Sequence, residues 1–168
     1  MGELSHRFRA VHQVTQTPLF TLSELEDALP VVYASVAPTP QYAWPLLRDS
    51  NGSQVWVKHE NHTPTGSFNV RGGLVYLEDM RRRNELPNGF VTATRGNHGQ
   101  SIPFAASRHS VPVMVLVPKG NSVEKNRAMQ AWGAELVEYG SDFDEAREEA
   151  ERLARENKAR KLRCRLCI

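Results

Sequence analysis

From residue 54 onward, segments with the apolar spacing of β-strands alternate with segments that have the apolar spacing of helices. Four segments have the alternating or continuous apolar pattern of β-strands: QVWVKHE (54–60), FVTAT (90–94), PVMVLV (112–117) and ELVEY (135–139). Each strand is followed by a segment with helical spacing, at residues 67–83, 98–109, 122–132 and 142–158. Strands that alternate with helices form parallel βαβ units. The pattern therefore predicts an α/β fold with an open, twisted parallel sheet of about four strands and flanking helices.

The chain ahead of this pattern is less regular. Residues 1–17 show no clear period, and residues 21–36, TLSELEDALPVVYASV, have the spacing of a helix. Pro30 lies inside that helix, and Pro103 lies inside a later one; interior proline removes a hydrogen bond and crowds the preceding turn. Residues 37–45, APTPQYAWP, are punctuated by prolines and are predicted to be a loop.

Composition narrows the protein class. The chain has 168 residues, of which 40% are hydrophobic and 24% charged, so it can bury a core. No run reaches the roughly 18 consecutive apolar residues of a membrane span. The first residues, MGELSHRFRAVHQ, lack the apolar stretch of a secretory signal. The sequence predicts a soluble, cytoplasmic protein that does not bind a membrane.

The positive charge is concentrated in one short segment. Residues 158–168, KARKLRCRLCI, contain five basic residues and no acid, and the net charge of the whole chain is only +2. A nucleic-acid site would instead spread basic residues over a face, so no nucleic-acid partner is predicted. Cys164 and Cys167 form a single C-x-x-C without a second pair. That pattern is weak evidence for zinc, and no metal site is predicted.

Two loops follow predicted strands and lead into predicted helices. The first is NHTPTGSFN, residues 61–69, and the second is RGNHGQ, residues 95–100. Parallel α/β sheets bind ligands at the carboxyl ends of their strands, and helix N-termini attract anions. The loops therefore predict a site for a small carboxylate or phosphate. Glycine and short polar residues are also good turn formers, so the residues alone leave a turn as the alternative.

Three ordered blocks resemble one family. VWVKHENHTPTGSFNVRGG resembles the cofactor-lysine segment of fold-type II pyridoxal-phosphate enzymes, in their threonine/serine dehydratase (threonine ammonia-lyase) branch. TATRGNHGQSIPFAA and VPKGNSVEKNRAMQAWGAELVEYG are similar to the two segments that follow it in that family. The resemblance implies the small domain of the tryptophan-synthase-beta-like fold. It also implies pyridoxal 5'-phosphate as cofactor and β-elimination and deamination of L-threonine or L-serine, giving a 2-oxo acid and ammonia.

The resemblance also implies roles for residues. Residue 69 corresponds to the lysine that holds the cofactor as a Schiff base. Phe68 and Asn97 are implied to contact the cofactor, Asn97 at its phenolic oxygen. The substrate carboxylate is implied to be bound by Ser67, Thr94, Gly96, Asn97 and His98.

Residue 69 is asparagine in this chain. Schiff-base catalysis needs an amine and a base, and a carboxamide is neither. The resemblance therefore predicts a relative that has lost its activity. The alternatives are a non-catalytic module that binds a small ligand, in which Asn69 only begins a helix, and a fragment that associates with an intact paralogue.

The resemblance predicts three parts. Residues 1–53 correspond to a segment that packs on the family's large domain, residues 54–157 to the small α/β domain, and residues 158–168 to a basic tail unlike the family. The family's phosphate-binding glycine loop follows further along than this chain extends. A truncated relative is predicted, which weakens the expectation of cofactor binding. The surface left exposed could support oligomers.

Overall fold

The computed structural model describes residues 19–48, residues 52–156, and the backbone of residues 160 and 161. In chain order the helices and strands are α1 (Leu22–Tyr33), β1 (Gln41–Ala43), β2 (Trp56–Lys58), α2 (Asn69–Arg82), β3 (Phe90–Ala93), α3 (His98–Ala106), β4 (Val113–Val117), α4 (Val123–Ala131), β5 (Ala134–Glu138), α5 (Phe143–Glu156) and β6 (Arg160–Lys161). Short 3₁₀ turns lie at Pro45–Leu47, Glu60–His62 and Ser107–His109.

A parallel sheet of four strands forms the centre of the fold, in the order β5-β4-β3-β6. Its middle strands are the apolar runs identified in the sequence, because strands covered on both faces lose contact with water along their whole length. The predicted α/β class and the parallel sheet are confirmed.

Helices cover both faces of this sheet. Val113, Val115 and Val117 of β4 belong to the larger core, which also includes residues of α1, α2, α3 and α4. Leu116 points to the opposite side and packs in a second core with α5. This division follows from the alternation of side chains along a strand. The buried residues of α5 are alanines four apart, which lets its backbone approach the sheet closely.

The predicted strand over residues 54–60 does not join the parallel sheet. It is shortened to β2, which pairs antiparallel with β1, so that Gln41 lies opposite Lys58. The expectation that residues 37–45 form only a loop is wrong in the same place. Alternation along a strand determines which side chains share a face, but not which strand is the partner. The fourth strand of the parallel sheet is instead β6, within the segment predicted to be a tail.

Helix α1 is not interrupted by its interior proline. Thr21 caps the helix by accepting from the backbone N–H of Glu24, whose carboxylate accepts in turn from the backbone N–H of Thr21, at 2.6 Å. The helix continues through Pro30 to Tyr33. In the same way, α3 contains Pro103 as predicted and ends at Ala106, before a 3₁₀ turn.

Several large apolar side chains near β1 and β2 are exposed. The set includes Tyr42, Trp44, Leu46, Trp56 and Phe68. Within the described residues, no helix is both long and apolar enough to cross a membrane.

Candidate ligand-binding site

The loop between β2 and α2 is closed by one threonine side chain. The hydroxyl of Thr63 accepts a hydrogen bond from the backbone N–H of Ser67 at 2.9 Å and donates to the carbonyl of the same residue at 2.8 Å. Gly66 lies between them at φ +66°, a conformation that glycine adopts without steric cost. Both backbone groups of Ser67 are thereby satisfied inside the loop.

The side chain of Ser67 is left without a hydrogen bond. Its hydroxyl is buried, and no described residue is its partner. A buried hydroxyl without a partner costs free energy, so this position is suited to a ligand. The neighbouring Phe68 is 59% exposed, and its ring is available to pack against a bound molecule.

Asn69 is the first residue of α2 and is only partly buried. Its backbone carbonyl accepts a hydrogen bond from the Ser101 hydroxyl of α3 at 2.8 Å. The same hydroxyl lies against Gly73, where an added Cβ would be 2.5 Å from it. The two helices are therefore joined at their N-terminal ends through the main chain of Asn69, and this contact does not depend on the side chain at position 69.

An ion pair fixes the start of α2 against the antiparallel strands. Arg71 donates from Nε to Glu60 Oε2 at 2.7 Å and from an Nη atom to Oε1 at 3.0 Å. Thr39 also donates to this carboxylate. The hydrogen bond from Arg71 is the main reason that the pKa of Glu60 lies below its ordinary value.

Lys58 also belongs to this cluster. Its Nζ lies 3.8 Å from Glu60 and donates to the carbonyl of Thr39 at 3.3 Å. The ammonium group of Lys58 is therefore held on the side of the molecule that carries β1 and β2.

The loop between β3 and α3 is also shaped by a threonine. The hydroxyl of Thr94 accepts a hydrogen bond from the backbone N–H of Gly96 at 3.0 Å. Asn97 is exposed. His98 has a buried Nε2 for which the described residues provide no partner. Burial lowers the pKa of His98, so its imidazole favours the neutral form.

Helix α4 packs directly on this loop. A Cβ added to Gly99 would overlap the methyl group of Thr94 and lie 2.8 Å from Met129 Sδ. A Cβ added to Gly96 would lie 3.4 Å from Lys125 Nζ. The absence of a side chain at Gly99 therefore lets Met129 of α4 pack at the start of α3, and Lys125 of the same helix lies beside the loop at Gly96.

The structure brings the two predicted groups of residues together. Ser67, Phe68 and Asn69 lie at the N-terminal end of α2, while Thr94, Gly96, Asn97 and His98 lie at that of α3; the hydrogen bond between Ser101 and Asn69 joins the two ends. The sequence pattern predicts no role for Thr63, Ser101 or Lys125. Lys125 lies within the third block that resembles the family, but only the packing of α4 shows that its side chain lies beside Gly96.

No cluster of three or more histidine, cysteine, aspartate or glutamate side chains suited to a metal ion occurs in the part of the chain that the structure describes.

Comparison with known proteins identifies the family. The family model described as "Pyridoxal-phosphate dependent enzyme" matches residues 12–163. The chain belongs to this family. Its relatives include the mitochondrial threonine dehydratase of Schizosaccharomyces pombe, 30% identical over 125 residues that make up 74% of this chain and 21% of that protein. They also include the serine racemase of Mus musculus, 32% identical over 130 residues, or 76% of this chain and 38% of that protein.

Solved structures of family members share the fold. A pyridoxal 5'-phosphate-dependent aspartate racemase matches with a TM-score of 0.79 and 30% identity, over 88% of this chain and 46% of that one. The processed threonine deaminase isoform 2 of Solanum lycopersicum matches with a TM-score of 0.69 and 28% identity, over 86% of this chain and 43% of that one. The chain thus spans less than half the length of these relatives and structures.

The residues of this chain fit the family's cofactor only in part. Ser67 and His98 offer buried polar atoms that a ligand could satisfy. The start of α2, however, presents the carboxamide of Asn69, which does not form a Schiff base with an aldehyde. The described residues therefore do not fit a cofactor held covalently at this position. The individual roles of the predicted site residues remain predictions.

Proposed function

We propose that this chain is a relative of threonine/serine dehydratases that binds a small hydroxy amino acid without converting it. The lineage reaction is β-elimination of water from L-threonine or L-serine, followed by release of ammonia. The observation that carries the proposal is the pairing of Asn69, which lacks an amine, with an adjacent loop that keeps its glycines and its polar residues.

The geometry of the two loops supports ligand binding. A helix N-terminus exposes backbone N–H groups that favour a carboxylate, and here two such ends are held together by the hydrogen bond between Ser101 and Asn69. Buried polar atoms on Ser67 and His98 lack partners among the residues described. A bound amino acid could satisfy them, which would compensate for the cost of burying them.

The position of Asn69 supports loss of chemistry without loss of fold. The contact between α2 and α3 uses the main-chain carbonyl at this position. Replacement of an amine by a carboxamide therefore leaves the joined helix ends in place. Catalysis depends on the lost group itself, because both covalent attachment and proton transfer require it.

The first test separates binding from turnover. L-threonine and L-serine are titrated calorimetrically into the purified chain in the absence of pyridoxal phosphate, and formation of a 2-oxo acid is followed in its presence. We expect saturable heat and no product. Turnover by the unmodified chain would show that residue 69 is not needed, and a flat titration with both amino acids would exclude the binding role.

The second test restores the amine. We expect Asn69→Lys, mixed with pyridoxal phosphate, to gain a weak absorbance of the Schiff base that borohydride abolishes, while its midpoint of thermal unfolding stays within about 2 °C of the unmodified chain. Asn69→Met is the control, because it has nearly the length of lysine without the amine. A gain of absorbance in Asn69→Met, or none in Asn69→Lys, would contradict the assignment of position 69.

A further inference from the structure

Lys125 is a charged residue at this site that the proposed function leaves unused. Its Nζ lies 3.4 Å, and its Cδ 3.9 Å, from the place where a Cβ on Gly96 would stand. Gly96 precedes Asn97 in the loop between β3 and α3. A Cβ on Gly96 would stand in ordinary van der Waals contact with the ammonium group, so the cation lies directly beside the loop.

The fold determines where Lys125 lies. Ser122 caps α4 and accepts a hydrogen bond from the backbone N–H of Lys125. One helical turn later, the fully buried Met129 packs at Gly99 of α3. Residues four apart share a helix face. Two contacts on one face of α4 therefore orient Lys125 toward the loop.

The ammonium group has no carboxylate partner among the residues described. Lys58 and Arg71 are paired with Glu60, whereas Arg81, Arg82 and Arg152 are paired with acids on their own helices. Lys125 takes part in no ion pair of the described chain. Its charge is therefore available for a ligand.

A second observation points to a ligand at the N-terminal end of α2, which is bonded to α3. The hydroxyl of Ser67, a residue with only 6% of its surface exposed, lacks a partner among the described side chains and backbone. Ser67 precedes α2, whose first residue is bonded to the first turns of α3 by Ser101. A carboxylate accepts hydrogen bonds from both hydroxyl and ammonium groups, whereas a neutral amide could not use the positive charge.

We propose that Lys125 is the residue that makes this site select ligands with a free carboxylate. The inference rests on the proposed function, because it assumes that the loop between β3 and α3 binds an amino acid. Lys125 is exposed, so its contribution is that of a solvent-screened charge, about fivefold in affinity.

The test compares two ligands and three variants. L-threonine and L-threoninamide, which differ in the charge of one group, are titrated into the full chain by calorimetry. We expect Lys125→Gln to bind L-threonine about fivefold more weakly and L-threoninamide equally or more tightly, and we expect Lys125→Arg to restore binding of L-threonine. Lys119→Gln removes another exposed lysine before α4 and should change neither affinity.

The outcomes distinguish this inference from the proposed function. If the unmodified chain binds L-threonine and Lys125→Gln binds it equally well, the role of Lys125 is excluded and the proposed function stands. Equal weakening of both ligands in Lys125→Gln would indicate a structural role and would also exclude it. If the unmodified chain binds neither L-threonine nor L-serine, the proposed function and the role of Lys125 fail together.

Discussion

The two loops of the candidate site are held in different ways. The loop between β2 and α2 is closed from within, because the hydroxyl of Thr63 donates to the carbonyl of Ser67 and accepts from its backbone N–H. The loop between β3 and α3 has an internal hydrogen bond from Gly96 to Thr94, but it is also held from outside, because Met129 of α4 packs at Gly99 at the start of α3. A loop closed by hydrogen bonds among its own residues tolerates new side chains at its end, and position 69 is such a place. A loop held by close packing does not.

The largest expected effect is steric and falls on the second loop. In Gly99→Ala, the new methyl group would overlap Thr94 and crowd Met129, which we expect to destabilise the protein by about 1–2 kcal/mol after the better helix propensity of alanine is included. Chemical denaturation measures the free energy of unfolding. Gly72→Ala is the matched control, since nothing lies within 4 Å of its added Cβ, and it should stabilise by about 0.5–1 kcal/mol.

A second substitution, at Thr94, tests whether this overlap causes the loss of stability in Gly99→Ala. Thr94→Ser keeps the hydroxyl that accepts from Gly96 and removes the methyl group that Gly99→Ala would meet. The double variant should therefore recover part of the lost stability. If the effects of the two substitutions on the free energy of unfolding are simply additive, the overlap with Thr94 is not the cause of the destabilisation in Gly99→Ala.

The next effect concerns hydrogen bonding in the first loop. Thr63→Val keeps the shape of the side chain but leaves the buried N–H of Ser67 without its acceptor, at a cost of about 1–2 kcal/mol. Thr65→Val is the control, because Thr65 donates only a long bond of 3.5 Å to a carbonyl that Thr63 already satisfies. Equal losses of unfolding free energy in both variants would argue against internal closure by Thr63.

The smallest effect is a difference in pH dependence. Burial lowers the pKa of His98, so the folded protein binds this proton less readily than the unfolded chain, and stability begins to fall as the pH drops below about 6.5. In the first loop, the hydrogen bond from Arg71 lowers the pKa of Glu60, whose contribution is present above about pH 4.5 and is lost only in more acidic solution.

Denaturation at pH 7.5 and pH 5.5 isolates the histidine. The unmodified chain should lose stability between these values, and His98→Gln should reduce the loss. His62→Gln changes an exposed histidine of the first loop and is the control. An unchanged pH dependence in His98→Gln would assign the titration to another group.

The sequence was sufficient for the parts of the fold that depend on local pattern. The strands β3, β4 and β5 were predicted because their apolar runs are continuous or alternating, and β3, the strand that precedes the site's second loop, belongs to this group. The pairing of β1 with β2 was missed because a three-residue strand between prolines carries almost no periodic signal, and a partner strand is chosen by tertiary packing.

The sequence indicated the two loops of the candidate site but not the contacts that connect them. The motifs around Asn69 and Asn97 indicated two loops, and no local pattern could reveal that Ser101 joins them. Lys125 was missed for the same reason, since its place beside Gly96 follows from the packing of α4. Contacts between distant segments depend on the assembled fold, which no single segment specifies.

The hydrogen bond from Ser101 to the main chain of Asn69 has a consequence for descent. Because this contact between α2 and α3 uses only the main chain at position 69, selection for folding does not oppose exchange of lysine and asparagine there. The codons of these two residues differ by a single base. Under the proposed assignment of position 69, a lineage would lose its chemistry in one mutational step and keep an intact scaffold, and the reverse step would be equally open to it.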